Sequence, residues 1–132
     1  MSEENVEIAG KMLRLIEQHD EEGFVECFDP DCEFLLPRNL LEGGSYRGHE
    51  GVRRAIADVY ATWEEVSFEI EDIRPIGSCV VVLSRTTNVG RGGAPPVTYP
   101  TAYFYEIRGG QILYFRPYQS VPEALAAAGL SE

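Results

Sequence analysis

The fold of this chain is decided by the stretch HDEEGFVECFDPDC, residues 19–32. Asp20 is a favourable helix N-cap, and the glutamates that follow it suit the positive end of a short helix over residues 21–28. The turn residues Asp29-Pro30-Asp31 end that helix. Residues 32–36 are apolar enough to form a strand, which Pro37 stops. The stretch therefore predicts a helix, a turn and a strand in close succession.

Two longer helices are predicted on either side of this stretch. Upstream, residues 3–19 carry apolar side chains at helical spacing, Met12 and Ile16 among them, which gives one broad apolar face. Downstream, residues 38–48 are predicted to be a glycine-containing loop, and residues 49–64 a third helix. The apolar side of that third helix carries Val52, Ile56, Val59, Tyr60 and Trp63.

The second half of the chain is predicted to be almost entirely β. Residues 68–71 alternate between apolar and acidic side chains, as in a strand with one wet face. Residues 79–89 are rich in β-branched side chains. Residues 97–107 and 111–118 then form a hairpin about Arg108-Gly109-Gly110. The short links between these segments favour an antiparallel meander.

A last short helix is predicted in the C-terminal tail. Ser120 stands three residues before Glu123, which is the spacing of a capping box, and Gly129 is a suitable end. The fold class is therefore α+β, with three N-terminal helices, an antiparallel sheet and a short C-terminal helix. Without repeats or linkers, residues 1–132 are expected to form a single domain.

The composition argues against several classes of partner. The formal charge is −11, from 22 acidic and 11 basic side chains, so the surface repels phosphate groups. We therefore expect neither nucleic acid nor a membrane as a partner. The first residues lack the basic start and apolar core of a secretion signal, which predicts a cytoplasmic protein. The chain has an odd number of cysteines, Cys27, Cys32 and Cys79, so we expect buried thiols rather than disulfides or a metal site. We also expect no cofactor.

The order of elements and four local signatures resemble the nuclear-transport-factor-2-like superfamily. Within it the chain is similar to the SnoaL-like branch, which includes polyketide cyclases and is related to ketosteroid isomerase. The signatures are residues 19–32, Tyr46-Arg47-Gly48-His49-Glu50-Gly51-Val52-Arg53, Gly110-Gln111-Ile112, and Pro122-Glu123-Ala124-Leu125 with Ala128-Gly129-Leu130. The resemblance implies a cone-shaped, cystatin-like fold whose bent sheet encloses a pocket for a small hydrophobic molecule. It also implies a homodimer through the outer face of the sheet.

The catalytic tyrosine and carboxyl groups of these relatives have no counterpart in this sequence. The tyrosine, the base and the protonated acid of ketosteroid isomerase fall on Met12, Leu36 and Ala102, all of them apolar. The Arg-x-Asp step of the related limonene-type epoxide hydrolases meets Arg85-Thr86-Thr87, which has the arginine without the carboxylate. The resemblance therefore implies a pocket and leaves the catalytic residues unknown.

The pocket wall is predicted to come from two helices, the first strand and the last strands of the sheet. Its residues are Met12, Ile16, Leu36, Ile56, Trp63, Ala102, Phe104, Phe115 and Gln119. Polar residues that could join it are Arg38, Tyr46, His49 and Arg85. Because Tyr103 and Tyr105 alternate with Ala102 and Phe104, these tyrosines are predicted to face away from the pocket, toward a partner or toward cross-strand neighbours.

Three interpretations of function stay open at this point. The chain could bind a small hydrophobic molecule, it could be an isomerase, cyclase or hydrolase with a rearranged site, or it could be a non-catalytic dimerisation module. A cavity that holds Arg85 or His49 beside a carboxylate would favour the enzyme. An apolar cavity in which Gln119 is the polar residue would favour binding, and a cavity filled by aromatic side chains would favour the module.

Overall fold

The computed structural model describes residues 2–36 and 44–131, and this part of the chain forms four helices and six strands. The helices are α1 (Ser2–Glu17), α2 (Glu21–Glu26), α3 (Gly48–Thr62) and α4 (Val121–Ser131). The strands are β1 (Phe28–Leu36), β2 (Gly44–Arg47), β3 (Trp63–Ile76), β4 (Cys79–Gly90), β5 (Val97–Arg108) and β6 (Gln111–Tyr118). The predicted α+β class is confirmed. Within these ranges no helix combines the length and hydrophobicity needed to cross a bilayer.

The six strands form one sheet in the order β2-β1-β6-β5-β4-β3. From β3 to β6 each strand pairs antiparallel with the next, which is the predicted meander. The pairing of β1 with β6 differs from the prediction because it is parallel, with Phe34 opposite Phe115. Register shifts interrupt β1 and β3, and such bulges bend and twist a strand. Because β1 pairs with β6, the first and last strands in the sequence lie side by side in the sheet.

The region from Asp20 to Leu36 follows the predicted order with different boundaries. The Asp20 carboxylate caps α2 by accepting the Gly23 N–H at 3.0 Å. α2 ends at Glu26 rather than at residue 28, and β1 already begins at Phe28. The predicted turn persists inside β1, where the Asp29 carboxylate accepts the Asp31 N–H at 2.8 Å. Residues 44–47 were predicted to be a loop, and they form β2 against β1.

Replacing Asp20 with alanine should lower the free energy of unfolding by about 1 kcal/mol, because the Gly23 N–H loses its acceptor. Asp20→Asn keeps an acceptor oxygen and should lose much less, since asparagine caps helices about as well as aspartate does. Urea denaturation followed by circular dichroism measures both variants. Equal losses in the two variants would mean that the charge of Asp20 matters rather than its capping bond.

Successive side chains of a strand point to opposite faces of the sheet, and here helices cover apolar side chains on both faces. On the inner face, Val80 and Val82 of β4 pack in the main core with α1, α2 and α3. On the outer face, Val81 of β4 and Phe104 of β5 pack beneath α4, together with Cys79, Ala102, Ala124 and Ala128. The C-terminal helix therefore covers part of the outer face of its own sheet.

This position of α4 bears on the predicted homodimer, which was assigned to the outer face. The exposed part of that face lies toward the β3 edge, where Glu69 is opposite Arg85 and both are exposed. The homodimer stays a prediction, and its contacts would have to use that exposed part.

The three cysteines are free and buried, as predicted. Burial raises the pKa of the Cys27 thiol and that of the Cys32 thiol. Since the thiolate is the reactive form of cysteine, both behave as structural side chains.

Candidate ligand-binding cavity

A cavity lies between the inner face of the sheet and helices α1 and α3. It offers about 100 Å³ of free space. One water needs roughly 10–15 Å³ of such space, so there is room for a molecule of on the order of seven to ten non-hydrogen atoms. The aliphatic part of the wall is formed by Leu13, Ile16, Leu36, Ile56, Val59, Val66 and Pro117.

Aromatic rings line much of the rest of this cavity. Phe34 of β1 stacks on Phe115 of β6 at 4.8 Å between ring centroids, and Phe115 stacks on Tyr103 of β5 at 5.7 Å. Phe68 of β3 meets Tyr103 edge-on, also at 5.7 Å. The remaining aromatic lining residues are Trp63, Tyr99 and Tyr118. Such a wall offers both ring faces and ring edges to a flat or cyclic ligand.

A polar stripe crosses the apolar wall on strands β4 and β5. Thr86 and Asn88 alternate along β4, and Tyr99, Thr101 and Tyr103 alternate along β5, so all five reach the cavity. The hydroxyls of Thr86 and Tyr103 are hydrogen-bonded at 2.7 Å. The Asn88 amide donates to the Tyr99 Oη at 2.8 Å. Four of the five side chains in the stripe are therefore hydrogen-bonded in two pairs, each of which joins β4 to β5.

Thr101 is the exception within this stripe. Its side chain is almost fully buried, with 7 % of the residue exposed, and it lines the cavity. Its hydroxyl has no hydrogen-bond partner among the described residues, although it lies close enough to Tyr103 to lower the pKa of that phenol. Buried hydroxyls are satisfied in the large majority of cases, so this one calls for an explanation.

The cavity is uncharged at neutral pH in the part of the chain that is described. Burial raises the pKa of Tyr103, and nearby threonine hydroxyls counteract this only in part. Burial also raises the pKa of Tyr99, against the bond from Asn88. Both therefore remain neutral phenols. Among residues 2–36 and 44–131, the lining includes no Asp, Glu, His, Lys, Arg or Cys. A charged ligand would lose its hydration here without gaining an opposite charge.

The structure brings six of the nine predicted wall residues to this cavity. They are Ile16, Leu36, Ile56, Trp63, Phe115 and Gln119. Trp63 reaches it as the first residue of β3 rather than from α3, where the sequence had placed it. Gln119 is exposed, so it lies at the rim rather than deep inside.

The other three predicted wall residues lie elsewhere. Ala102 and Phe104 pack on the outer face beneath α4, whereas Tyr103 and Tyr105 point inward. The prediction for β5 is therefore wrong because it exchanged the inner and outer faces of the strand. Met12 is fully buried in the main core, where its sulfur lies 3.9 Å from the Tyr105 hydroxyl. Of the residues on α1, Leu13 takes the place at the cavity that was predicted for Met12.

None of the predicted polar residues that the structure describes lines the cavity. Arg85 is exposed on the outer face of β4. Tyr46 donates to the Asp58 carboxylate at 3.1 Å. His49 Nε2 lies 2.7 Å from the Phe28 carbonyl oxygen, which ties the start of α3 to β1. Arg38 lies outside the described residues.

The polar stripe is the part of the site that was missed from sequence, although a signal for it exists. Ser84, Thr86 and Asn88 follow one another at every second position of a strand whose first half, residues 79–83, is apolar. That spacing places all three on one face. The structure puts them on the inner face, where polar side chains mark a binding surface. Within residues 2–36 and 44–131, no group of three side chains is arranged to hold a metal ion.

Known proteins resemble this chain in sequence pattern and in fold. The sequence pattern of one family, described as the SnoaL-like domain, matches residues 9–115. No curated protein sequence matches the chain significantly.

Three solved structures illustrate the likeness in fold. A hypothetical protein with a ketosteroid isomerase-like fold from Catenulispora acidiphila, in complex with trimethylamine, has a TM-score of 0.77 at 21% identity, covering 93% of this chain and 92% of that one. An NTF2-like protein of unknown function from Burkholderia pseudomallei has a TM-score of 0.80 at 18% identity, covering 93% and 95%. A putative SnoaL-like polyketide cyclase from Shewanella putrefaciens has a TM-score of 0.72 at 20% identity, covering 96% and 98%.

Proposed function

The chain belongs to the SnoaL-like domain family, and on that premise we propose that it binds a small, uncharged, ring-containing molecule in the cavity between α1, α3 and the sheet. The observation that carries this proposal is the composition of the wall. Apolar and aromatic side chains surround a few neutral polar groups, and the described lining has no ionisable group other than tyrosine. Such a wall is typical of sites for small apolar ligands.

The same wall gives no support to acid/base catalysis. A general acid or base works best when its pKa lies near the working pH. The pKa values of Tyr99 and Tyr103 are raised by burial, away from neutrality. Arg85 and His49, the residues that were to decide for an enzyme, lie outside the cavity. Binding is therefore the function that these residues support best.

The size of the cavity and the rings along its wall give this proposal further support. In this chain, the volume of about 100 Å³ suits a ligand of one ring. The stacked rings of Phe34, Phe115 and Tyr103 would contact its faces and edges.

An amide NMR titration with three matched six-membered rings tests this proposal. Cyclohexanol is neutral, cyclohexylamine is a cation near pH 7, and cyclohexanecarboxylate is an anion. We expect cyclohexanol to bind at least tenfold more tightly than either ion, because the part of the wall that the structure describes offers no counter-charge. Equal binding of all three rings, or binding of an ion alone, would contradict the proposal.

Filling the cavity should abolish this binding. Val59 of α3 lines the cavity and is half-buried, so Val59→Phe adds a ring where the ligand would lie. We expect at least tenfold weaker binding of cyclohexanol. The matched control is Val97→Phe, the same substitution at a β5 residue that is 51% exposed, and it should leave the affinity unchanged. If both variants bind cyclohexanol as the wild type does, the ligand lies elsewhere.

A further inference from the structure

The unpartnered hydroxyl of Thr101 is the starting point. Thr101 sits in the middle of the polar stripe on β5, two residues from Tyr99 on one side and from Tyr103 on the other. Both tyrosines have partners on β4, whereas the Thr101 hydroxyl, although it lies near the Tyr103 phenol, makes no hydrogen bond of good geometry among the described residues. A buried polar group without a partner is destabilising, and this one borders an open cavity.

The polar groups beside Thr101 have protons that they can donate into the cavity. The Tyr99 oxygen accepts a hydrogen bond from the Asn88 amide, so the Tyr99 hydroxyl proton stays available to donate. On the other side, the hydroxyls of Tyr103, Thr86 and Ser84 form a chain with distances of 2.7 and 3.4 Å. The described lining residues include no carboxylate that could accept a hydrogen bond from these hydroxyls. The stripe therefore suits a ligand atom that accepts hydrogen bonds.

We propose that Thr101 binds an acceptor oxygen of the ligand, so that the ligand is an uncharged ring bearing an ether or carbonyl oxygen. This rests on the proposed function and deepens it. The oxygen would lie against β5 between Tyr99 and Tyr103, with the apolar part of the ring against Phe115 and Phe68. Thr101 is then the residue that selects an oxygen-bearing ring over a hydrocarbon of the same shape.

A pair of isosteric probes tests this selection. Tetrahydropyran and cyclohexane differ by one ring oxygen in place of a methylene group. Because their hydration differs, the quantity to compare is the ratio of their dissociation constants in each variant, as in a double-mutant cycle. Thr101→Val keeps the shape and removes the hydroxyl. We expect the ratio to shift against tetrahydropyran by about three- to tenfold, the range that corresponds to one neutral hydrogen bond.

Two further variants control for effects on the fold. Thr101→Ser keeps the hydroxyl and should keep the wild-type ratio. Thr98→Val makes the same change on the outer side of β5, where the Thr98 hydroxyl bonds Thr87 at 2.8 Å, and should also keep it. Without ligand, Thr101→Val should melt no lower than the wild type, since the hydroxyl that it removes has no partner in the fold.

The outcomes separate this inference from the proposal on which it rests. If both probes bind the wild type and Thr101→Val leaves the ratio unchanged, the Thr101 hydroxyl holds only water, and the inference is overturned while the cavity remains a binding site. A lower melting temperature of Thr101→Val without ligand would mean that its hydroxyl is satisfied within the fold, which also overturns it. If neither probe binds the wild type, the proposed function itself fails.

Discussion

Replacing Phe115 with alanine is expected to lower the free energy of unfolding by about 3–5 kcal/mol, the range found for buried phenylalanines. Phe115 is 3% exposed, stacks between Phe34 and Tyr103, and meets the Tyr105 ring edge-on at 5.0 Å. The substitution removes the central ring of this group. Because Phe115 also lines the cavity, the new void joins an existing one, and the neighbours cannot close it.

Urea denaturation followed by circular dichroism measures this loss. Val97→Ala, on an exposed part of β5, is the control and should change the free energy of unfolding by well under about 1 kcal/mol. The enlarged cavity gives a second readout. A larger two-ring ligand such as biphenyl, which exceeds the room in the wild-type cavity, should raise the melting temperature of Phe115→Ala and leave that of the wild type unchanged. A loss below about 1 kcal/mol would show that Phe115 does not support the core as described.

The second large effect concerns two glycines that lie in helices and should respond in opposite directions. A Cβ at Gly51 of α3 would lie 2.8 Å from the backbone carbonyl carbon of Tyr46, which is too close. A Cβ at Gly10 of α1 would meet only the end of the Arg14 side chain, at 3.5 Å. We expect Gly51→Ala to destabilise the fold by about 1–3 kcal/mol. Gly10→Ala should stabilise it by up to about 1 kcal/mol, because alanine favours a helix.

The pair is measured by thermal and urea denaturation of the two single variants. The contact at Gly51 is with backbone, so β2 or the start of α3 must move to admit the methyl group. Arg14 can move aside at little cost. If both glycines respond alike, helix propensity alone governs these positions, and the tight approach of α3 to β2 has no energetic consequence.

The order of elements could be predicted from sequence because each element carries a local pattern. The Asp20 cap, the turn at Asp29-Pro30-Asp31 and the hairpin about Gly109 and Gly110 depend on neighbouring residues alone. The parallel pairing of β1 with β6 could not be predicted in this way, because it depends on segments at opposite ends of the chain. β2 was missed because its four residues, Gly44–Arg47, carry no strand pattern of their own.

The site could be predicted only where one face of an element is clearly apolar. Ile16 and Ile56 lie on helices with a polar side opposite, so their inward direction was plain. β5 is buried on both faces from Thr101 to Tyr105, since α4 covers the outer one. Alternation then fixes which residues share a face without showing which face is inside. The inversion of Phe104 and Tyr103 follows from this, and it hid Thr101 from the predicted wall.

The parallel pairing of β1 with β6 has a consequence for how the protein is made. On the ribosome, β1 can pair early with β2, where Phe34 lies opposite Tyr46, but its other edge has no partner until Ile112 and Phe115 of β6 are synthesised. Pairing between such distant segments is slow compared with local contacts. A nascent chain that stops before Gln111 should therefore leave this edge of β1 unpaired, and stable folding should begin only once β6 has left the exit tunnel.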